Sequence, residues 1–142
     1  MEQFCFHLPV KVVFGSGALG RALPGISAYG KHALVVTGKR SAKESGLLDR
    51  VTGILEEAGV AWTVFSDVPP EPRTADCEKG AAAAVAAGAD VILGVGGGSA
   101  LDAAKAIAVL ATSRGRTADY FGEEKFTAHP LPVVAVPTTC GT

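Results

Sequence analysis

The apolar run Val91-Ile92-Leu93-Gly94-Val95 leads directly into Gly96-Gly97-Gly98-Ser99-Ala100-Leu101-Asp102. The chemistry this pattern serves is anion binding. The first turn of a helix has N–H groups without intrahelical partners and a partial positive charge, and glycines lacking a Cβ let a phosphate approach the backbone itself. Gly97 and Gly98 are expected to give that access, and the N–H groups of Ser99 and Ala100 to point at the phosphate. The carboxyl end of a strand in an open parallel sheet is also where ligands bind. The plainer alternative is a tight strand-to-helix turn with Ser99 as N-cap and Asp102 completing a capping box. Three consecutive glycines exceed what a turn requires, which favours the phosphate reading. For Asp102 alone, capping is a complete explanation.

A second glycine pattern, Gly15-Ser16-Gly17-Ala18-Leu19-Gly20, matches G-x-G-x-x-G literally. As a dinucleotide fingerprint it needs a strand before it, an unbroken helix after it and an acid about 20 residues further on. The run before it, residues 11–14, is short, Pro24 interrupts the helix after it, and Gly38, Lys39 and Arg40 stand where the acid belongs. This pattern is read as a turn. The sequence contains neither a G-x-x-x-x-G-K-[ST] P-loop nor a G-x-S-x-G elbow. His7, His32 and His129 are scattered, so no metal site made by this chain is expected.

The elements that position the glycine loop emerge from hydrophobic patterning. Residues 33–37, 61–65, 90–95 and 132–136 are apolar almost throughout, as strands buried on both faces are. Between them, Leu47, Leu48, Val51, Ile54, Leu55 and Ala58 keep helical spacing, with Gly59 at the C-terminal end. A second helix is expected from Thr74, as N-cap, to Gly88, burying Cys77, Ala81, Ala84 and Val85. A third starts at Ser99 and puts Ala100, Ala103, Ala104, Ile107, Ala108 and Ala111 on one face. Strand and helix alternation means right-handed crossovers and an α/β, doubly wound, mostly parallel sheet with helices on both faces. Ahead of it, residues 4–8 and 11–14 read as short N-terminal strands, and residues 17–29 as a helix limited by Pro24. Residues 113–129 read as a surface loop with a helical turn near Asp119.

The whole chain has 142 residues, 48% hydrophobic and 19% charged, which suits one compact domain. Its formal net charge of -1 provides no basic stripe for a nucleic acid. No apolar run reaches the roughly 18 residues of a membrane helix, and the N-terminus does not read as a signal peptide. The expectation is a soluble, cytoplasmic protein. Cys5, Cys77 and Cys140 are widely spaced and odd in number, as expected of reduced thiols.

Three segments in combination resemble the iron-containing (group III) alcohol dehydrogenases: residues 13–19 (VFGSGAL), residues 96–106 (GGGSALDAAKA) and residues 137–142 (PTTCGT). The resemblance covers the whole chain and implies a Rossmann-like N-terminal domain that binds NAD or NADP. It further implies that Gly96, Gly97, Gly98 and Ser99 hold the cofactor pyrophosphate, that Thr138, Thr139 and Thr142 lie along the cofactor, and that Asp102 stands near the cofactor or substrate pocket. Many NAD-using relatives carry an aspartate where this chain has Gly38. Its absence removes repulsion toward a 2′-phosphate, while Lys39, Arg40, Ser41 and Lys43 offer charge and donors, which leans toward NADP or dual use. The alternative for this stretch is a solvated loop with Ser41 and Glu44 as a capping box.

In that family the divalent metal, iron or zinc, is held by an aspartate and three histidines downstream of the threonine segment. Residues 1–142 are therefore expected to be a truncated NAD(P)-binding domain, inactive alone, of a homo-oligomeric enzyme that transfers hydride between NAD(P) and a small alcohol or aldehyde. The alternatives are a free-standing non-catalytic nucleotide-binding or interaction module, and a glycerol or polyol-phosphate dehydrogenase relative.

Overall fold

The computed structural model describes residues 4–113, 116–122, 125 and 128–139. Strands β1 (His32–Gly38), β2 (Ala61–Val68), β3 (Val91–Gly96) and β4 (Val133–Pro137) form one sheet in the order β2-β1-β3-β4, every neighbouring pair parallel. Helices α1 (Ala18–Ala22), α2 (Ser41–Glu44), α3 (Leu47–Glu57), α4 (Thr74–Ala87) and α5 (Gly98–Leu110) connect them, with 3-10 turns at Leu23–Ala28 and Thr117–Tyr120.

Continuous apolarity in the central strands has a direct structural cause. Side chains alternate across the sheet, so Ala33, Val35, Val91, Leu93 and Val95 pack on one face with Val51 and Leu55 of α3 and with Leu23 and Ile26. Leu34, Val36 and Ile92 point the other way, onto Cys77 and Ala84 of α4 and Ala103, Ala104, Ile107 and Ala108 of α5. Both faces are covered, and the molecule is doubly wound. The alanine-rich helices sit close. At Gly80 of α4 a Cβ would collide with the Ile107 side chain, so glycine there lets α4 approach α5.

Helix ends obey local chemistry. Gly59 (φ 68°) and Gly88 (φ 65°) adopt the left-handed conformation that ends α3 and α4. The N-cap of α4 is Arg73 rather than Thr74, because Asp76 at the third helical position accepts the Arg73 N–H at 3.0 Å.

Several expectations are corrected. Residues 4–14 belong to no strand among the described residues, so the two short N-terminal strands expected at 4–8 and 11–14 are not formed there. A strand needs a ladder partner, and here none is supplied. The segment 17–29 is not one helix: α1 ends at Ala22 and the chain tightens into the 3-10 turn, with Pro24 in its first turn where the missing N–H costs nothing. Only β3 is buried throughout and β1 at all but its two end residues; β2 and β4 lie at the sheet edges and are largely exposed. Thr117–Tyr120 provides the helical turn expected near Asp119, held by an Arg116 N–H to Asp119 carboxylate bond of 2.7 Å.

Candidate functional site

Because all four strands are parallel, Gly38, Val68, Gly96 and Pro137 end at one rim of the sheet. From β1 the chain leaves through α2 and α3 toward β2, on one side; from β3 it leaves through α5 toward β4, on the other. The connections diverge between β1 and β3. A crevice must open where they part, and this is the position at which open α/β sheets bind ligands. A cleft of about 680 Å³ lies there, lined from the four strand ends by Gly38 to Ala42, Ser45, Val68 to Pro70, Gly96 to Ala100, Thr138 and Thr139.

The floor of the cleft is backbone. Gly96 has φ 148°, a conformation L side chains rarely adopt, and a Cβ on it would stand 2.9 Å from the Ala100 Cβ. Gly97 is the N-cap of α5 and makes no side-chain cap. Leu101 donates to the Gly97 carbonyl at 3.1 Å, which leaves the N–H groups of Gly98, Ser99 and Ala100 as the first-turn donors without an intrahelical acceptor. They open on a cleft whose described lining contains Lys39 and Arg40 and no carboxylate. The helix end, the bare amides and the two cations all favour an anion.

Neither capping alternative is formed. The Ser99 hydroxyl donates to the Pro70 carbonyl and does not cap α5. It ties the β2–α4 loop to the glycine loop, so Ser99 offers the cleft its N–H rather than its side chain. Asp102 pairs with Lys105 at 3.0 Å on the exposed side of α5 and is absent from the cleft lining. Likewise α2 has Arg40 as N-cap with no side-chain cap, so Ser41 and Glu44 form no capping box.

Of the residues singled out from the sequence, Gly38, Lys39, Ser41, Gly96, Gly97, Gly98, Ser99, Thr138 and Thr139 come together around the cleft. Thr138 donates its N–H to the Gly96 carbonyl at 2.9 Å. Thr139 lies 3.4 Å from where a Gly97 Cβ would be, which brings the threonine segment against the glycine loop. Thr142 lies outside the described residues. Gly15 to Gly20 do not line the cleft; Gly17 caps α1 and Arg21 donates to the Ser16 carbonyl at 2.6 Å, so residues 15–17 are a turn and residues 18–20 the start of that helix. Sequence reasoning missed Val68, Pro69 and Pro70, whose only advance signal was their place after a strand in a parallel sheet.

The two perturbed titrating groups stand apart from the cleft. Burial, then the charges of Asp76 and Glu78, push the Cys77 thiol up. At Asp90 desolvation acts upward, but the backbone N–H groups of His32, Lys31 and Asp90 itself, with the charge of His32, jointly hold the carboxyl below its ordinary value.

Residues 9–142 match the family model of the iron-containing alcohol dehydrogenases, a span that includes every residue lining the cleft. The chain belongs to that family. A probable NADH-dependent butanol dehydrogenase of Bacillus subtilis is 39% identical over the whole chain, and NADH-dependent butanol dehydrogenase A of Clostridium acetobutylicum is 34% identical. The chain covers 36% of each, so it spans little more than a third of these relatives' length. Among solved structures, an NADH-dependent butanol dehydrogenase A from Thermotoga maritima superposes with a TM-score of 0.91 at 35% identity, covering 100% of this chain and 36% of that one. A sulfoacetaldehyde reductase from Bifidobacterium kashiwanohense, solved with NAD+, gives 0.86 at 29% identity, covering 100% of this chain and 38% of that one. The fold is thus the Rossmann-like domain of the family.

Proposed function

We propose that residues 1–142 form the NAD(P)-binding domain of an alcohol dehydrogenase that moves hydride between the nicotinamide ring and a small alcohol or aldehyde. The observation that carries this reading is the trio of unpaired N–H groups on Gly98, Ser99 and Ala100 at the mouth of β3, in a cleft without carboxylates. In this reading the pyrophosphate rests on those amides, the adenosine end extends toward Gly38 to Ser41, and the nicotinamide half runs toward Thr138, Thr139 and Thr142. The cofactor, once bound, supplies the hydride chemistry. The chain itself supplies donors, orientation and a floor without Cβ atoms, and Lys39 and Arg40 offset phosphate charge.

Among the described residues no group of three His, Cys, Asp or Glu side chains could hold a metal ion. These residues do not fit a metal site, and no step is assigned to one. In this reading the chain binds and positions the cofactor.

For the cofactor's 2′ position, Gly38 is the deciding place. With no acid there and two cations beside it, the cleft accepts a 2′-phosphate, which supports NADP or dual use. The relatives whose names specify NADH point toward NAD. Calorimetric titration with NAD and NADP tests both the site and the preference. The Gly98→Val variant, which puts a branched side chain in the first turn of α5, is expected to weaken either cofactor by at least about tenfold, some 1.4 kcal/mol. Undiminished binding by that variant would move the site elsewhere.

A further inference from the structure

The link from β2 to α4 begins Pro69-Pro70-Glu71-Pro72, and three of these four residues have no N–H. Such a stretch cannot be held by a ladder or by the backbone bonds of a turn. Among the described residues its one hydrogen bond comes from outside, where the Ser99 hydroxyl, in the first turn of α5, donates to the Pro70 carbonyl. Proline fixes its own φ, so the stretch is stiff and a bond to one carbonyl sets the direction of its neighbours.

That stretch is also a wall of the cleft. Ala42 packs on the sheet face that carries α3, whereas Val68 packs on the face that carries α4 and α5, so Gly38 to Ala42 and Val68 to Pro70 rise on opposite sides of the crevice. The glycine loop lies between them as the floor. Ser99 thus acts in two directions. Its N–H is one of the three bare amides of the floor, and its hydroxyl holds the wall that faces Gly38 to Ala42.

We infer that Ser99 is a positioning residue whose hydroxyl fixes the Pro69–Pro70 wall at the separation that clasps the adenosine half of the cofactor. The inference rests on the NAD(P) reading above and divides the labour within it. Diphosphate oxygens are taken by N–H groups that belong to α5 and need no wall. The adenosine half, lying between the two walls, depends on their separation, and the proline rings offer its base an apolar surface without donors. Cutting the tie leaves the Pro70 carbonyl to water and frees the wall to move, so binding of the adenosine half must then restore that order.

Calorimetric titration of the full 142-residue chain with ADP-ribose and with inorganic pyrophosphate separates the two halves. The parent is expected to bind both. Ser99→Ala is expected to weaken ADP-ribose by about fivefold and pyrophosphate by clearly less, since one net hydrogen bond is lost and the loss falls on the wall. Ser99→Thr keeps a hydroxyl at the same place and is expected to restore the parent's ratio of the two affinities. A Ser99→Ala chain that holds ADP-ribose as tightly as the parent overturns the inference. So does one that loses both probes in equal proportion, because the hydroxyl would then serve the diphosphate or the fold at large, and so does a Ser99→Thr chain that fails to restore the ratio. A parent that takes ADP-ribose but no pyrophosphate overturns it by showing that the halves are not held separately. All of these outcomes leave the NAD(P) reading standing; a parent that binds neither probe takes that reading down together with the inference.

Discussion

Gly38 combines three features on one residue: it ends β1, it lines the cleft, and it has room. A Cβ placed there meets only the Val68 carbonyl oxygen, at 3.8 Å, and its φ is not in the left-handed region, so a side chain is sterically acceptable. Gly38→Asp should therefore fold normally while setting a carboxylate beside the cofactor's ribose. A 2′-hydroxyl can donate to that carboxylate and a 2′-phosphate is repelled by it. The expected outcome is a fall in NADP affinity of about tenfold or more relative to NAD, read by calorimetry. The neighbouring residues show how far type and spacing carry. The glycine loop identified itself through three consecutive residues with no Cβ. Ser99, by contrast, is the kind of residue that caps helices, and nothing in its neighbours reveals that its hydroxyl is taken by Pro70, 29 residues away.

At the scale of elements, the anion site depends on how closely α5 lies on β3. Gly94 sits inside β3, outside the cleft, where a Cβ would stand 2.9 Å from the Ala104 Cβ and 3.2 Å from a Leu101 methyl. Gly94→Ala is expected to cost about 1–3 kcal/mol by overpacking, measured by chemical denaturation. It should also weaken nucleotide binding, because relief comes from moving α5 and its free N–H groups. Gly53 of α3 is the control: nothing lies within 4 Å of its missing Cβ, so Gly53→Ala should stabilise the chain by about 0.5–1 kcal/mol and leave binding unchanged. The helices and central strands were legible because their apolar faces have the right period. The edge strands β2 and β4 share the composition of buried strands, and exposure at an edge depends on neighbours that composition does not record.

For the molecule as a whole, the end of the sheet opposite the cleft is secured by Asp90. Its carboxylate accepts the Lys31 N–H at 2.8 and 2.9 Å and the His32 N–H at 2.9 Å, joining the start of β3 to the start of β1. At Gly30 a Cβ would collide with that carboxylate, so glycine is needed for the contact. The Asp90 pKa is lowered on folding, so the charged form is favoured in the folded chain. Its contribution is present in full above the ordinary carboxylate range and is lost as pH falls through the folded value. Asp90→Asn keeps an acceptor but no charge. The parent should exceed it by no more than about 1 kcal/mol at neutral pH, since the group is largely exposed, and urea denaturation should show that difference shrinking at acid pH. A difference that grows on acidification would contradict this account.

The sequence by itself determined the α/β class, the three long helices α3, α4 and α5, the four sheet strands and the glycine loop, because each rests on short-range periodicity or on the steric freedom of adjacent residues. Tertiary structure alone decided which strands are central, that the order β2-β1-β3-β4 opens a crevice between β1 and β3, and that Gly38, Pro70, Gly98 and Thr139 share its walls. Those residues lie far apart along the chain, and contacts of that span arise only when the parallel crossovers bring every strand's carboxyl end to a common rim.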